Sequence, residues 1–308
     1  MSGNAVHLHV GAHGTGAEGF HRFLAANRRV LALAGFDLAY PGRGGAPGGR
    51  FDCAYPEPRH RGEAPGGFAG PIAERLAECR QAGRAIRGSE APATLILSDP
   101  DLPGRAMQLL AGHFYPAARR RARVLRMALG GGIDGVTLVV RPYSELLAEV
   151  WRQAALDRPV APLADHVAAF ERLSGGWSEL VQALASGLSV PKVRVLVAPL
   201  APQALLEMLA PGLPAPGRLA PVPMPLPVTD SAVAMIQRHY RLGARFAPGQ
   251  RARILAFHAS QPQSGVRPAI PCEVAESLDR RYADDLGRLA AMAEAELVGA
   301  GAGTLAAE

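Results

Sequence analysis

The residues best suited to chemistry lie near the start of the chain, in Gly11-Ala12-His13-Gly14-Thr15-Gly16-Ala17-Glu18. A glycine-rich turn between a strand and a helix suits anions. Backbone N–H groups at a helix N-terminus lack intrahelical partners, and the helix dipole favours negative charge there. Gly11, Gly14 and Gly16 either cradle a phosphate or sulfate or make a tight strand-to-helix turn as pure architecture. Thr15 either binds the anion through its hydroxyl or caps the helix. His7 and His9 share one strand face by alternation. They read as core histidines, with a metal site as the other option. His13 lies in the loop. Two further residues follow apolar runs. Asp99 is either a general base or the cap of a Ser-Asp-Pro turn. Arg141 is either an anion contact or the ion-pair partner of Glu145 one helical turn on.

The elements that must position these residues follow from periodicity. Apolar runs at 5–10, 93–97, 136–140 and 192–198, with a short one at 36–40, read as strands buried on both faces. Helical patterns fall at about 18–34, 71–87, 105–112, 116–129, 143–156, 163–173, 177–188 and 201–209, then at 230–242, 250–260 and 272–297. Thr229 or Asp230 is a plausible cap for the helix that follows. Strands alternating with helices predict an α/β fold, an open and mostly parallel sheet with helices on both faces. Ligands bind such sheets outside the strands' carboxyl ends, where the loop at 11–16, Asp99 and Arg141 all fall. Residues 42–70 are rich in Gly, Pro and Arg and read as a surface excursion long enough to form a lid. Residues 1–210 form the α/β domain, 211–228 a Pro-rich linker and 229–300 a helical C-terminal extension packing on that domain. Arg119 to Arg121 read as a solvated helix face.

Composition narrows the classes. The chain has 308 residues, 48% hydrophobic and 19% charged, with no apolar run long enough to span a membrane. Net charge is +6, and Lys192 is the sole lysine. Such a balance suits anionic ligands. No basic helix interleaved with aromatics points to nucleic acid. No leader sequence is visible, and three separated cysteines, Cys53, Cys79 and Cys272, suit a reducing compartment. The expectation is a cytoplasmic protein without a metal. The oligomeric state is left open.

Four blocks, in order, resemble one family. LHVGAHGTGAEGFHRFLAANRRVL followed by YPG resembles the opening of the sulfotransferase-like P-loop proteins, in particular a bacterial branch with a strand, G-x-H-K-T-G-T-T and a helix. LILSDPDLPG resembles that branch's strand ending in S-[DE]-E-N-x-x-G. VTLVVRPYSELLAEVWRQ resembles its strand–Arg–helix segment, and RRYADDLGRLA its terminal R-Y-x-x-D-x-x-x-L helix. The resemblance implies a P-loop sulfotransferase-like fold. It also implies in-line sulfuryl transfer from 3′-phosphoadenosine 5′-phosphosulfate, an anionic nucleotide, to a hydroxyl or amine acceptor that the sequence does not identify. It places Gly11, Gly14, Thr15, Gly16 and Arg141 at the donor and His13 and Asp99 in catalytic positions.

The same alignment marks departures. Gly14 stands where the family has a loop Lys. Ala17 and Glu18 stand where it has hydroxyl residues, and Glu149 where it has the Ser that partners the 3′-phosphate Arg. Pro100 takes the place of a common Glu, with Asp99 and Asp101 on either side. Losing one contact to developing charge typically costs ~10²–10³ in rate. A carboxylate at Glu18 competes with phosphate for the same N–H groups, and Glu149 would face the 3′-phosphate with like charge. The sequence therefore supports a second reading, a catalytically inactive binding or scaffold relative. A third is a P-loop-like protein for another anion. An ordinary P-loop NTPase is excluded by the missing G-K-[ST] ending.

Overall fold

Leu8, Leu95, Leu97 and Leu138 are fully buried on one side of a sheet and Ile96, Val139 and Leu196 on the other. Strands this apolar on both faces need helices above and below. The computed structural model supplies them. It describes residues 5–42, 49, 51, 53–60, 62–210, 219–223, 228–261 and 270–298.

The elements run β1 (Val6–Val10), α1 (Ala17–Ala26), α2 (Arg28–Leu33), β2 (Phe36–Ala39), α3 (Gly66–Arg87), β3 (Thr94–Ser98), α4 (Ala106–Leu110), α5 (Ala118–Leu129) and β4 (Gly135–Val140). They continue with α6 (Tyr143–Asp157), α7 (Val167–Glu171), α8 (Trp177–Leu188), β5 (Val193–Val197), α9 (Pro202–Leu209), α10 (Asp230–Arg241), α11 (Gln250–Ala259), α12 (Cys272–Ala291) and β6 (Ala295–Val298). The six strands form one open, all-parallel sheet in the order β2-β3-β1-β4-β5-β6. This is the α/β class that the alternating pattern predicts. From β1 the chain crosses to the β2–β3 side and later returns to β4 on the other side. β1 is therefore the switch point, and the crevice opens beyond its carboxyl end. His9 is level with Ser98 on β3 and with Thr137 on β4.

Several expectations need correction. The single helix at 18–34 is broken at Asn27. The Asn27 amide donates to the Phe23 carbonyl (2.9 Å) and the Ala220 carbonyl (3.0 Å), and its oxygen accepts the Ala220 N–H (2.7 Å). That competition for backbone groups ends α1. α3 starts at Gly66, ahead of the expected 71, and carries Pro71 inside it. The excursion at 42–70 is not wholly superficial, because Phe51 and Tyr55 are buried in the main core. The helix predicted over 272–297 stops at Ala291, and Ala295–Val298 pairs with β5 as a sixth strand. The edge of β5 decides what the local pattern left open. Of the Pro-rich linker, 211–218 and 224–227 lie outside the described residues.

The C-terminal helix fastens the fold. α12 packs against α6 and α8. Its buried Asp285 accepts the Trp177 N–H (3.0 Å), the Ser178 hydroxyl (2.8 Å) and the Tyr143 hydroxyl. α8 has no side-chain cap of its own at Gly176, so Asp285 supplies a carboxylate to its N-terminus from a distant helix. A Cβ on Gly176 would lie 2.5 Å from that carboxylate, so glycine leaves room for it. Among the described residues no helix is long and apolar enough to cross a membrane.

Candidate functional site

The loop at 11–16 joins β1 to α1 at the switch point. Gly11 is sterically required, since a Cβ there would sit 2.7 Å from the Ala17 Cβ and 2.9 Å from His9 Cε1. Gly14 and Gly16 hold positive φ values of 75° and 95°, which glycine adopts without strain. Gly16 caps α1, and no side chain does. The Thr15 hydroxyl donates to the Ala12 carbonyl (2.7 Å), and its N–H reaches the same oxygen (3.2 Å). Thr15 therefore tightens the turn. It does not cap the helix.

Around this loop the charged side chains face each other. Arg141, just past β4, donates through Nη1 to the Gly14 carbonyl and through Nη2 to Glu145 (2.7 Å). Its Nε is buried without a hydrogen-bond partner. Glu149 lies against Gly14: a Cβ there would be 3.3 Å from Glu149 Cγ and 3.4 Å from its Cβ. Glu149 also accepts from Gln153 (3.2 Å), and Glu18 pairs with Arg22 (3.0 Å). Of the nearby arginines, Arg22 faces Glu18 and Arg105 faces Glu57 at 2.5 Å. Arg43 lies outside the described residues.

His13 and Asp101 meet at the mouth of the loop, His13 Nε2 to Asp101 Oδ1 at 3.2 Å, with side chains 12% and 21% exposed. The Tyr115 hydroxyl accepts the His13 N–H (3.2 Å) and lies 3.3 Å from His13 Nδ1. The Asp101 carboxylate only accepts, so Nε2 carries the proton that faces it, and in the neutral ring Nδ1 accepts the Tyr115 hydroxyl proton. Both ring nitrogens are thereby engaged. Burial raises the Tyr115 pKa, which keeps its proton on the oxygen.

Asp99 is placed differently. It is 2% exposed, and its carboxyl accepts the Tyr55 hydroxyl (2.7 Å) and the Asp101 N–H (2.9 Å). The second bond makes the aspartate turn that its Ser-Asp-Pro context allows. Burial, and then the neighbouring Asp101 carboxylate, push its pKa up to about 6. Asp99 thus ties the 42–70 excursion to β3, while Asp101 is the carboxylate that reaches His13. Arg121 completes this wall and corrects the expectation of a solvated face. It is 3% exposed, lies over the Tyr55 ring, and donates to the carbonyls of Pro56 (3.2 Å) and Asp101 and to Glu57 (3.3 Å). One signal for it was legible. Arg121 shares the α5 stripe with Ala118, Ala122 and Leu125, all buried.

Beneath the loop, Ser98 Oγ lies 2.8 Å from both His9 Nδ1 and His21 Nε2. Burial, reinforced by His21, holds the His9 pKa down to about 3. His9 is therefore a neutral core histidine. His7 is also lowered, mainly by burial. Among the described residues no group of three His, Cys, Asp or Glu is arranged to hold a metal ion.

Fold and site together define an open parallel α/β protein with a glycine loop at its switch point and a His–Asp pair at the loop's mouth. No protein-family model, curated protein or solved structure matches this chain.

Proposed function

We propose that the chain is a sulfotransferase-like binding or scaffold protein that keeps the strand–loop–helix frame without ordinary donor chemistry. The observation that carries this reading is the occupied surround of Gly14. Its carbonyl is clamped by Arg141, and Glu149 Cγ lies only 3.3 Å from where a Cβ at this position would stand. A phosphosulfate needs unopposed cations at the loop. Here the guanidiniums of Arg141 and Arg22 face Glu145 and Glu18. The three separated cysteines, none of them in a disulfide, support a cytoplasmic setting.

One observation favours the second reading, sulfuryl transfer from 3′-phosphoadenosine 5′-phosphosulfate to a hydroxyl or amine. The His13–Asp101 pair stands beside the loop with both side chains partly open to solvent. In an active enzyme His13 would exchange one of its partners for the acceptor and take its proton. Titration calorimetry with 3′-phosphoadenosine 5′-phosphate separates the two. The binding-protein reading expects weak or no saturable uptake. Sub-micromolar affinity that disappears in Arg141→Ala would overturn it in favour of transfer.

A further inference from the structure

At the opposite end of the sheet, by the strands' amino ends, lies a cavity of about 530 Å³. Its wall carries Arg80, Arg84 and Arg87 of α3, spaced four and three residues apart and so on one helix face. Asp37 of β2, 2% exposed, is the internal counter-charge: Arg87 Nη1 lies 2.6 Å from its Oδ1 and Arg80 Nη1 3.9 Å from its Oδ2. A Cβ on Gly83 would lie 1.8 Å from Asp37 Oδ1, so glycine is what lets this carboxylate lie against α3. The Arg87 side chain is 8% exposed, and its Nε has no hydrogen-bond partner. Arg84 faces Glu90 at 3.0 Å, but the Glu90 side chain is 85% exposed. Three guanidiniums thus face two carboxylates, one of which stands in solvent. Gly131 and Gly132 also line it, and a Cβ on either would meet nothing within 4 Å.

We infer that this cavity is a ligand site, taking the dianionic phosphate group of a small molecule, with Arg84 turning from Glu90 onto the anion. The site is separate from the β1 loop. The planar fork of arginine matches such oxyanions, and the volume falls in the small-molecule range. Burial lowers the Arg80 pKa, with Asp37 opposing, so a bound dianion would favour its charged form.

Calorimetric titration of the full chain with inorganic phosphate and with phenyl phosphate, at constant chloride, tests the inference. Saturable binding is expected, with phenyl phosphate the tighter if the cavity takes the organic part and equal affinities if it takes the free ion. Arg84→Gln should weaken binding about tenfold. Glu90→Gln should tighten it, because it removes the competing carboxylate. Both positions are exposed enough for the fold to tolerate the change, which circular dichroism checks. Absence of binding in both the wild type and Glu90→Gln overturns the inference, as does Arg84→Gln binding like the wild type. Binding that survives Arg84→Gln but is lost in Arg141→Gln places the anion at the β1 loop. That outcome overturns this inference and counts separately against the binding-protein reading.

Discussion

Replacing Asp99 with asparagine should make the protein more stable at neutral pH and leave it nearly unchanged in acid. The Asp99 carboxyl is buried, with Tyr55 and the Asp101 N–H as its donors. Desolvation and then Asp101 raise its pKa from 3.8 to about 6. A raised carboxyl binds its proton more tightly in the folded chain. Its stabilising share is therefore complete below 3.8 and is lost as pH rises through about 6. That interval, at about 1.4 kcal/mol per pH unit, amounts to about 3 kcal/mol. Asparagine keeps the geometry: its oxygen still accepts the Asp101 N–H, and the Tyr55 hydroxyl turns to accept from the amide. Urea unfolding of wild type and Asp99→Asn across this range isolates the effect, because other titrating groups cancel in the difference. The variant should gain about 3 kcal/mol over the wild type between the acid and neutral ends. A difference that stays flat with pH would refute the reasoning, since Asp99 would then titrate alike folded and unfolded.

His9 acts in the opposite sense. Its pKa is held down to about 3 against 6.5, so its contribution is present above 6.5 and is lost as pH falls. Between pH 6.5 and 5 the wild type should lose about 2 kcal/mol through this group. His9→Asn, which keeps a polar atom near Ser98, should lose little, and parallel urea curves for the two proteins would sink the assignment. Asp285→Ala strands the Tyr143 hydroxyl in the core and leaves the Trp177 N–H with the Tyr143 oxygen (2.7 Å) and the Ser178 hydroxyl with Glu179 (3.1 Å) as their remaining acceptors. It should cost about 3 kcal/mol or more by urea unfolding. A cost below about 1 kcal/mol would mean that water replaces the carboxylate.

The sheet was legible because β3 and β4 are largely apolar on both faces and β1 and β5 each carry one wholly apolar face, patterns that local sequence carries by itself. β6 was not. Ala295-Glu296-Leu297-Val298 continues the composition of α12, and only the open edge of β5 selects the strand. The glycine loop was legible because Gly11, Gly14 and Gly16 announce a turn. The contacts that define the site were not, because His13 meets Asp101 and Tyr115 across 88 and 102 residues of chain. Sequence placed Arg141 between an anion and Glu145. The structure shows the Glu145 pair and adds the Gly14 carbonyl, a backbone partner that residue identity cannot reveal. Arg121 was read as solvated from its charge alone, although its stripe on α5 pointed inward.

The dependence of α8 on Asp285 has a consequence for synthesis. Tyr143, Trp177 and Ser178 are made 142, 108 and 107 residues before the carboxylate that they share. During that interval the emerging chain holds the Tyr143 hydroxyl without its acceptor and a β5 edge without β6. Unpaired strand edges and incompletely packed cores are the features through which nascent chains associate wrongly. The arrival of α12 and the strand behind it supplies the carboxylate and covers the β5 edge in one step, so a later-translated part of the chain governs how safely the earlier part folds.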